Sequence, residues 1–358
     1  MIAAKRALMA GRNNQRDRWV GSEDSAAARI GKRIVIPMGQ QSFTAGPEDT
    51  FFTVGSCFAR NVEERLQDAG ATVTSLNHDL IDLGDTSARR SGIFNKYNPV
   101  SIQQELTWAS GKEAFPEDAL LQLTEEDVWY DPHLRQNSGQ GTRAQLMERR
   151  RQISDYFAQI FKADVVVITL GLIETWVDLQ TNLTLNVLPD PKYLGRNKSR
   201  FAFHTLSVKD TMIALKRCVA ILREFGKPNQ RILLTVSPVS LGRTFTDDDI
   251  IVANTTSKTT LRVAAHRFAS DTDGVDYFPS YEAVLHSDPA LAWQEDRLHV
   301  SDFMVGRIIR EFLVRYGVSP PAETEEVAAD ETTALLAELR REVDRYKNRL
   351  IALQREKG

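Results

Sequence analysis

Short apolar runs alternate with amphipathic segments between residues 50 and 316. Phe51-Phe52-Thr53-Val54 is a β-branched and aromatic run that stops at Gly55. Phe58, Val62 and Leu66 then recur every four residues with Arg60, Asn61, Glu63, Glu64 and Arg65 between them, which predicts an amphipathic helix ended by Gly70. Ala71–Leu76 reads as a second strand, while Ala163–Leu170 and Arg231–Val236 are runs apolar enough to be covered on both faces. Helices are predicted over Val208–Phe225, with Ser207 as cap and Gly226 as stop, over Ser257–Ala269 and over Ser301–Tyr316, with a short strand at Val275–Phe278.

Strands alternating with helices imply βαβ units, hence an α/β fold of three layers, α/β/α, around a mostly parallel sheet. Residues 1–48 are polar and weakly patterned and read as an N-terminal arm that wraps the main domain or stays mobile; the domain proper spans 49–319. Residues 80–160 hold more helix than one crossover needs, including Gln103–Ala109 and Arg143–Phe161, and form a helical insertion; 178–206 read as a long loop. In the tail, 320–358, Leu336, Leu339, Val343, Tyr346, Leu350 and Leu353 fall at spacings of 3, 4, 3, 4 and 3. That is a coiled-coil seam suited to self-association or to a partner helix through 336–353, the plainer alternative being a helix docked on its own domain.

Composition narrows the classes. A net charge of −3 gives no general attraction to nucleic acid or an anionic membrane, and no apolar run is long enough to span a bilayer. Cys57 and Cys218 are too few for a disulfide framework or a thiolate metal site, and His78, His133, His266 and His286 show no ligand spacing, so no metal is expected. Neither a phosphate-binding nor a dinucleotide glycine motif occurs. The basic first 20 residues lack an apolar signal core, and a cytoplasmic, bacterial-type protein is expected.

Ligands of an open parallel sheet bind beyond the carboxyl ends of its strands, where this chain places Gly55-Ser56-Cys57, Gly171-Leu172-Ile173-Glu174 and Ser237-Pro238. A strand, a tight glycine turn and a helix start hold a side chain outside the fold beside the N–H groups of the helix's first turn, an arrangement fit for a nucleophile and an oxyanion. Asp296 and His299, three apart, can pair so that the imidazole is a base. His204 is a second candidate base, Glu174 and Trp176 are placed to contact ligand at a strand end, and Lys258 is placed to meet a phosphate or Glu282.

Gly55-Ser56-Cys57-Phe58-Ala59 resembles the signature of the GSCFA-domain family, grouped with the SGNH (GDSL-type) hydrolase-like superfamily. Tyr97-Asn98-Pro99-Val100-Ser101, Thr169-Leu170-Gly171, Leu234–Val239, Asn254 with Ser257-Lys258, and Asp276–Glu282 agree in the same order, over roughly residues 50–315. The resemblance implies a flavodoxin-like sheet and a nucleophile in the turn after the first strand. With Gly55 aligned on the superfamily's glycine, Cys57 takes the nucleophile position ahead of Ser56, and Asp296 and His299 match its Asp-x-x-His block. The superfamily's Gly-x-Asn-Asp block falls on Gly171, Leu172, Ile173 and Glu174, so its asparagine donor is missing and Asn95 or Asn98 is the candidate replacement. Gly55, Gly171, Glu174 and Ser237 complete the expected substrate-binding set. The implied activity is O-acyl (acetyl) transfer to, or ester hydrolysis on, a carbohydrate-type substrate, with no tightly bound cofactor and acetyl-CoA as the acyl donor that analogy offers. A non-catalytic glycan-binding or scaffolding protein assembled by its coiled coil is the alternative.

Overall fold

The computed structural model describes residues 1–78, 90–135 and 138–318, with Thr333, Leu336 and Arg340 in the tail. The coiled-coil seam expected over 336–353 otherwise lies outside the described residues. Two compact units emerge: Met38–Tyr281 with Ile309–Pro320, and Met1–Pro37 with Glu282–Ile308.

The larger unit is an α/β domain. Its strands are β1 (Thr50–Gly55), β2 (Thr72–Val73), β3 (Leu121–Thr124), β4 (Val128–Tyr130), β5 (Val165–Leu170), β6 (Glu174–Asp178), β7 (Leu183–Thr184), β8 (Phe201–Thr205), β9 (Arg231–Val236) and β10 (Val275–Tyr277). Among the described residues β2-β1-β5-β9-β10 form a five-stranded sheet, parallel throughout, in the flavodoxin-like order. Every residue of β5 is buried, as its unbroken apolar run requires. Flanking helices include α3 (Cys57–Asp68), α4 (Pro99–Ala109), α5 (Arg143–Ala158), α7 (Val208–Phe225) and α8 (Ile250–Ser270), after α1 (Ala4–Asn13) and α2 (Ala26–Ile30). Phe52, Val54, Phe157, Val166, Ile168, Leu222 and Leu234 belong to one core beside the sheet.

Three readings of the pattern need correction. The second strand keeps two residues rather than Ala71–Leu76, because Thr74–Leu76 turn into a 3₁₀ helix whose Thr74 hydroxyl donates to Phe51 O at 3.1 Å and whose Ser75 hydroxyl donates to Glu63 at 2.8 Å. Residues 178–206 are no loop. They contain β7, the helix α6 (Pro191–Arg196) and β8, and with β6 they build a three-stranded antiparallel sheet in which Trp176 pairs with Phe203. Of β8 only Phe201 is fully buried, so no apolar run advertises the strand. The hairpin of β3 and β4 inside the insertion was likewise hidden by its short, half-buried strands. Helix α8 begins at Ile250, seven residues earlier than expected, because Asp249 caps it by accepting from Ile251 N–H.

A buried charge network underlies the insertion. Arg150 pairs with Asp131 and, at 3.0 Å, with Glu105, which also pairs with Lys96; all four are at most 1% exposed. Burial opposes both carboxylates, yet the cations outweigh it and hold Asp131 and Glu105 below the usual carboxylate range. Burial drives His133 down to about 3, so its ring is neutral.

The smaller unit contains α1, α2, α10 (Pro289–Ala292) and, across the boundary, parts of α9 (Ser280–His286) and α11 (Asp302–Tyr316). An Arg33–Asp288 ion pair at 2.5 Å and a Val35 N–H bond to Ser287 tie its segments together. The last residues of the expected arm lie in the larger unit, where Ser42 donates to Asp276 and Ala45 N–H to Tyr316 O.

Candidate active site

The sheet order reverses direction between β1 and β5, which makes the crevice beyond their carboxyl ends the expected ligand position. The chain closes tightly there. Gly55 has φ +135°, and a Cβ on it would fall 2.1 Å from Thr169 O. Only glycine fits both the conformation and the contact. Ser56 follows as N-cap of α3: its N–H donates to Thr169 O at 3.2 Å, and its hydroxyl accepts from Phe58 N–H at 3.3 Å. The serine is 3% exposed, whereas Cys57 opens the helix half-buried.

The opposite lip is equally close. A Cβ on Gly171 would lie 2.6 Å from Tyr97 O and 3.1 Å from Ser56 Cβ. Segment 95–98 is pinned against both strand ends: Lys96 N–H donates to Gly55 O at 2.7 Å, and Leu172 N–H to Tyr97 O at 2.9 Å. Asn186 holds the segment from the other side, accepting from Tyr97 N–H and donating to Asn95 O.

Lys258 projects from α8 into this rim. It is 1% exposed and donates to Gly171 O at 2.7 Å, while neighbouring Ser257 accepts from Ile173 N–H at 3.1 Å. Burial brings its ammonium down to about 7, and the electrostatic interaction with Cys57 acts in the opposite sense. Burial pushes the Tyr97 hydroxyl up, opposed by Asn95 Nδ2, which donates to that hydroxyl at 3.2 Å, and reinforced by the interaction with Cys57. Cys57 thus acts electrostatically on both Lys258 and Tyr97.

Other predicted residues hold different places. Asn98 caps α4, accepting from Ser101 N–H and donating to Leu185 O, so both ends of its amide are engaged. Asn95 Oδ1 is buried with no hydrogen-bond partner. Ser237, at the end of β9, is 1% exposed with an unpartnered hydroxyl and an N–H that donates to Leu170 O. Glu174 accepts from the Thr244 hydroxyl at 2.7 Å and from Phe245 N–H at 2.9 Å. His204 is exposed and faces Asp210 at 3.6 Å. In the smaller unit His299 Nδ1 meets Asp296 Oδ2 at 2.6 Å, and Asp296 Oδ1 accepts the N–H groups of Leu298 and His299. Those bonds hold Asp296 down at about 2; both side chains are about half exposed.

Sequence reasoning named Lys258 but gave it no place in the site. In the sequence it stood out only by its place beside Ser257 in one of the quoted motifs, within the polar run Thr255-Thr256-Ser257-Lys258-Thr259.

The sequence profile of the GSCFA family matches residues 50–312. The chain belongs to the GSCFA family. That match contains β1, the Gly55-Ser56-Cys57 turn, Lys258 and Asp296–His299. Comparison with curated proteins and with solved structures returns no match. Among the described residues, no helix is long and apolar enough to cross a membrane.

Proposed function

We propose that this GSCFA protein is an acyl-transfer enzyme, an O-acyltransferase or esterase for carbohydrate-type esters, with Cys57 as nucleophile. The observation that carries the reading is Lys258, a lysine buried at 1% exposure that hydrogen-bonds Gly171 O and feels the charge of Cys57. Burying an ammonium is costly, and an amine that titrates near neutrality is suited to general-base work. Lys258 Nζ takes the proton from Cys57 Sγ, and the thiolate attacks the acyl carbonyl. A C–S bond forms, the ester C–O bond breaks, and the ammonium returns its proton to the leaving oxygen. An acceptor hydroxyl or water then cleaves the thioester and restores the thiol. The N-terminus of α3 and the Tyr97 hydroxyl, oriented by Asn95, supply donors for the oxyanion. With an acetyl-CoA-type thioester as donor in the transferase version, the bond that breaks is the donor's own C–S bond, and the ammonium returns its proton to the departing sulfur. Ser56, committed to capping, supports the turn instead of attacking.

Three features support an SGNH-type ancestry: the turn after the first strand, the flavodoxin-like sheet and the Asp-x-x-His block. One observation favours a non-catalytic glycan-binding role: Ile173, buried, occupies the place of the superfamily's amide donor. Turnover of p-nitrophenyl acetate and acetyl-CoA decides between them. Cys57→Ala and Lys258→Met are expected to abolish turnover, and Lys258→Met to slow alkylation of Cys57 by iodoacetamide. Full activity in Cys57→Ala removes the proposal. If His299→Ala is dead while Lys258→Met turns over, the base is His299.

A further inference from the structure

The larger unit has a cleft of about 510 Å³, within the size range of small-molecule sites. Two of its lining residues, Tyr97 and Leu172, border the crevice at the sheet. Leu172 N–H donates to Tyr97 O at 2.9 Å, and Tyr97 interacts electrostatically with Cys57. A Cβ on Gly171, the residue before Leu172, would lie 3.1 Å from Ser56 Cβ. The exposed lining residues are Gly242 and Arg243, so the cleft opens to solvent beside them.

What the wall offers a ligand is apolar. Leu172, Leu185, Val187, Leu188 and Leu241 supply aliphatic surface, and Trp176 and Phe245 supply rings. The rings are fixed in advance: Trp176 meets Phe245 edge-on at 5.3 Å and Phe203 at 5.5 Å, and Glu174 holds Phe245 N–H at 2.9 Å. The polar groups of the lining are already spent. Both Glu174 oxygens are bonded by Thr244 and Phe245, the Thr175 hydroxyl donates to His204 O at 2.8 Å, and Asn186 is engaged by Tyr97, Ser101 and Asn95. Arg135 has a partner of its own, and the exposed Arg243 guanidinium lies over the Phe245 ring at 5.0 Å. A sugar laid along this wall would give up the hydration of its hydroxyls without replacement hydrogen bonds, whereas an alkyl chain has no such loss.

We infer that this cleft is an acyl pocket: it takes an aliphatic acyl chain longer than acetyl, which runs from the crevice past Tyr97 and Leu172 and lies against Leu185, Leu188 and Trp176. The inference rests on the acyl-transfer reading and names the acyl group for it. The oxyanion assigned to the Tyr97 hydroxyl is borne by the acyl carbon itself, so a chain attached to that carbon starts beside Tyr97, where the apolar lining begins.

Titration of the Cys57→Ala protein with butanamide, hexanamide and octanamide, neutral stand-ins for the acyl group, separates binding from turnover. Each buried methylene is worth roughly fourfold in affinity, so every two-carbon extension is expected to tighten binding about tenfold or more. Trp176→Ala and Leu188→Ala are each expected to weaken octanamide about tenfold. Both residues are half-buried, and the second variant keeps the test valid should the first misfold. In the unaltered protein, kcat/KM for p-nitrophenyl octanoate should exceed that for the acetate by about tenfold or more, and Leu188→Ala should narrow the ratio. The length series in binding without any turnover supports the chain site and removes the catalytic reading alone. Equal affinity for butanamide and octanamide, unchanged octanamide affinity in both variants, or tighter binding of methyl glucoside than of octanamide overturns the inference. Turnover of the acetate with no gain for the octanoate overturns it too, and leaves the catalytic reading standing.

Discussion

Replacing Lys258 by methionine should make the protein more stable at neutral pH while destroying its proposed activity. The lysine falls from its ordinary 10.5 to about 7 because burial strips its ammonium of water, the Cys57 charge only partly opposing this. In an unfolded chain the amine binds its proton below about 10.4; in the folded protein it does so only below about 7. Between those values the unfolded state holds more protons, so stability rises with pH through that window and levels off below it. The full difference of about 3.5 units, at 1.36 kcal/mol each, sets an upper bound of about 5 kcal/mol for the cost of the buried charge at pH 7. Losing the bond to Gly171 O returns about 1–3 kcal/mol of that by leaving a buried carbonyl unpaired. A net gain of at most about 2–4 kcal/mol at pH 7 remains, shrinking toward pH 10. Urea unfolding of both proteins at pH 7 and 9.5, in a Cys57→Ala background, isolates the effect from the thiol's own titration. A Lys258→Met variant less stable than its parent at pH 7, or a difference that does not change with pH, refutes the reasoning.

Asp131→Asn breaks a fully buried pair with Arg150 and should cost about 3–5 kcal/mol in urea unfolding. Because Arg150 holds Asp131 below the ordinary carboxylate value, its contribution is complete above about pH 4 and vanishes as pH falls through the folded value; acid titration of the Asn variant should therefore lack that component. Gly171→Ala forces a methyl to within 2.6 Å of Tyr97 O, and turnover should fall at least about a hundredfold as the two lips of the crevice separate; a near-normal rate would show that the close approach is dispensable. Glu174→Gln weakens the hold on the loop bearing Phe245, and is expected to raise KM with little change in kcat.

The strongly apolar runs of β1, β5 and β9 were legible in the sequence because a strand buried on both faces must be apolar at every position, and Gly55 was legible because a sharp exit from a strand needs a residue without a side chain. The same logic found Cys57 at the helix start. It could not find β7 and β8, whose short, half-exposed strands are held by partners across the sheet rather than by their own pattern. Nor could it assign Asn98, whose amide is consumed by a cap, or see that the two oxygens of Glu174 are held by a loop some 70 residues away. Lys258 shows the division best. Local sequence dictates only that it sits on a helix; that its ammonium is buried and bonded to Gly171, 87 residues distant, is a property of the surface the helix packs against. Periodicity encodes which face of an element is apolar, whereas the dielectric around a single charge is set by every segment that closes over it, and only the folded chain decides that.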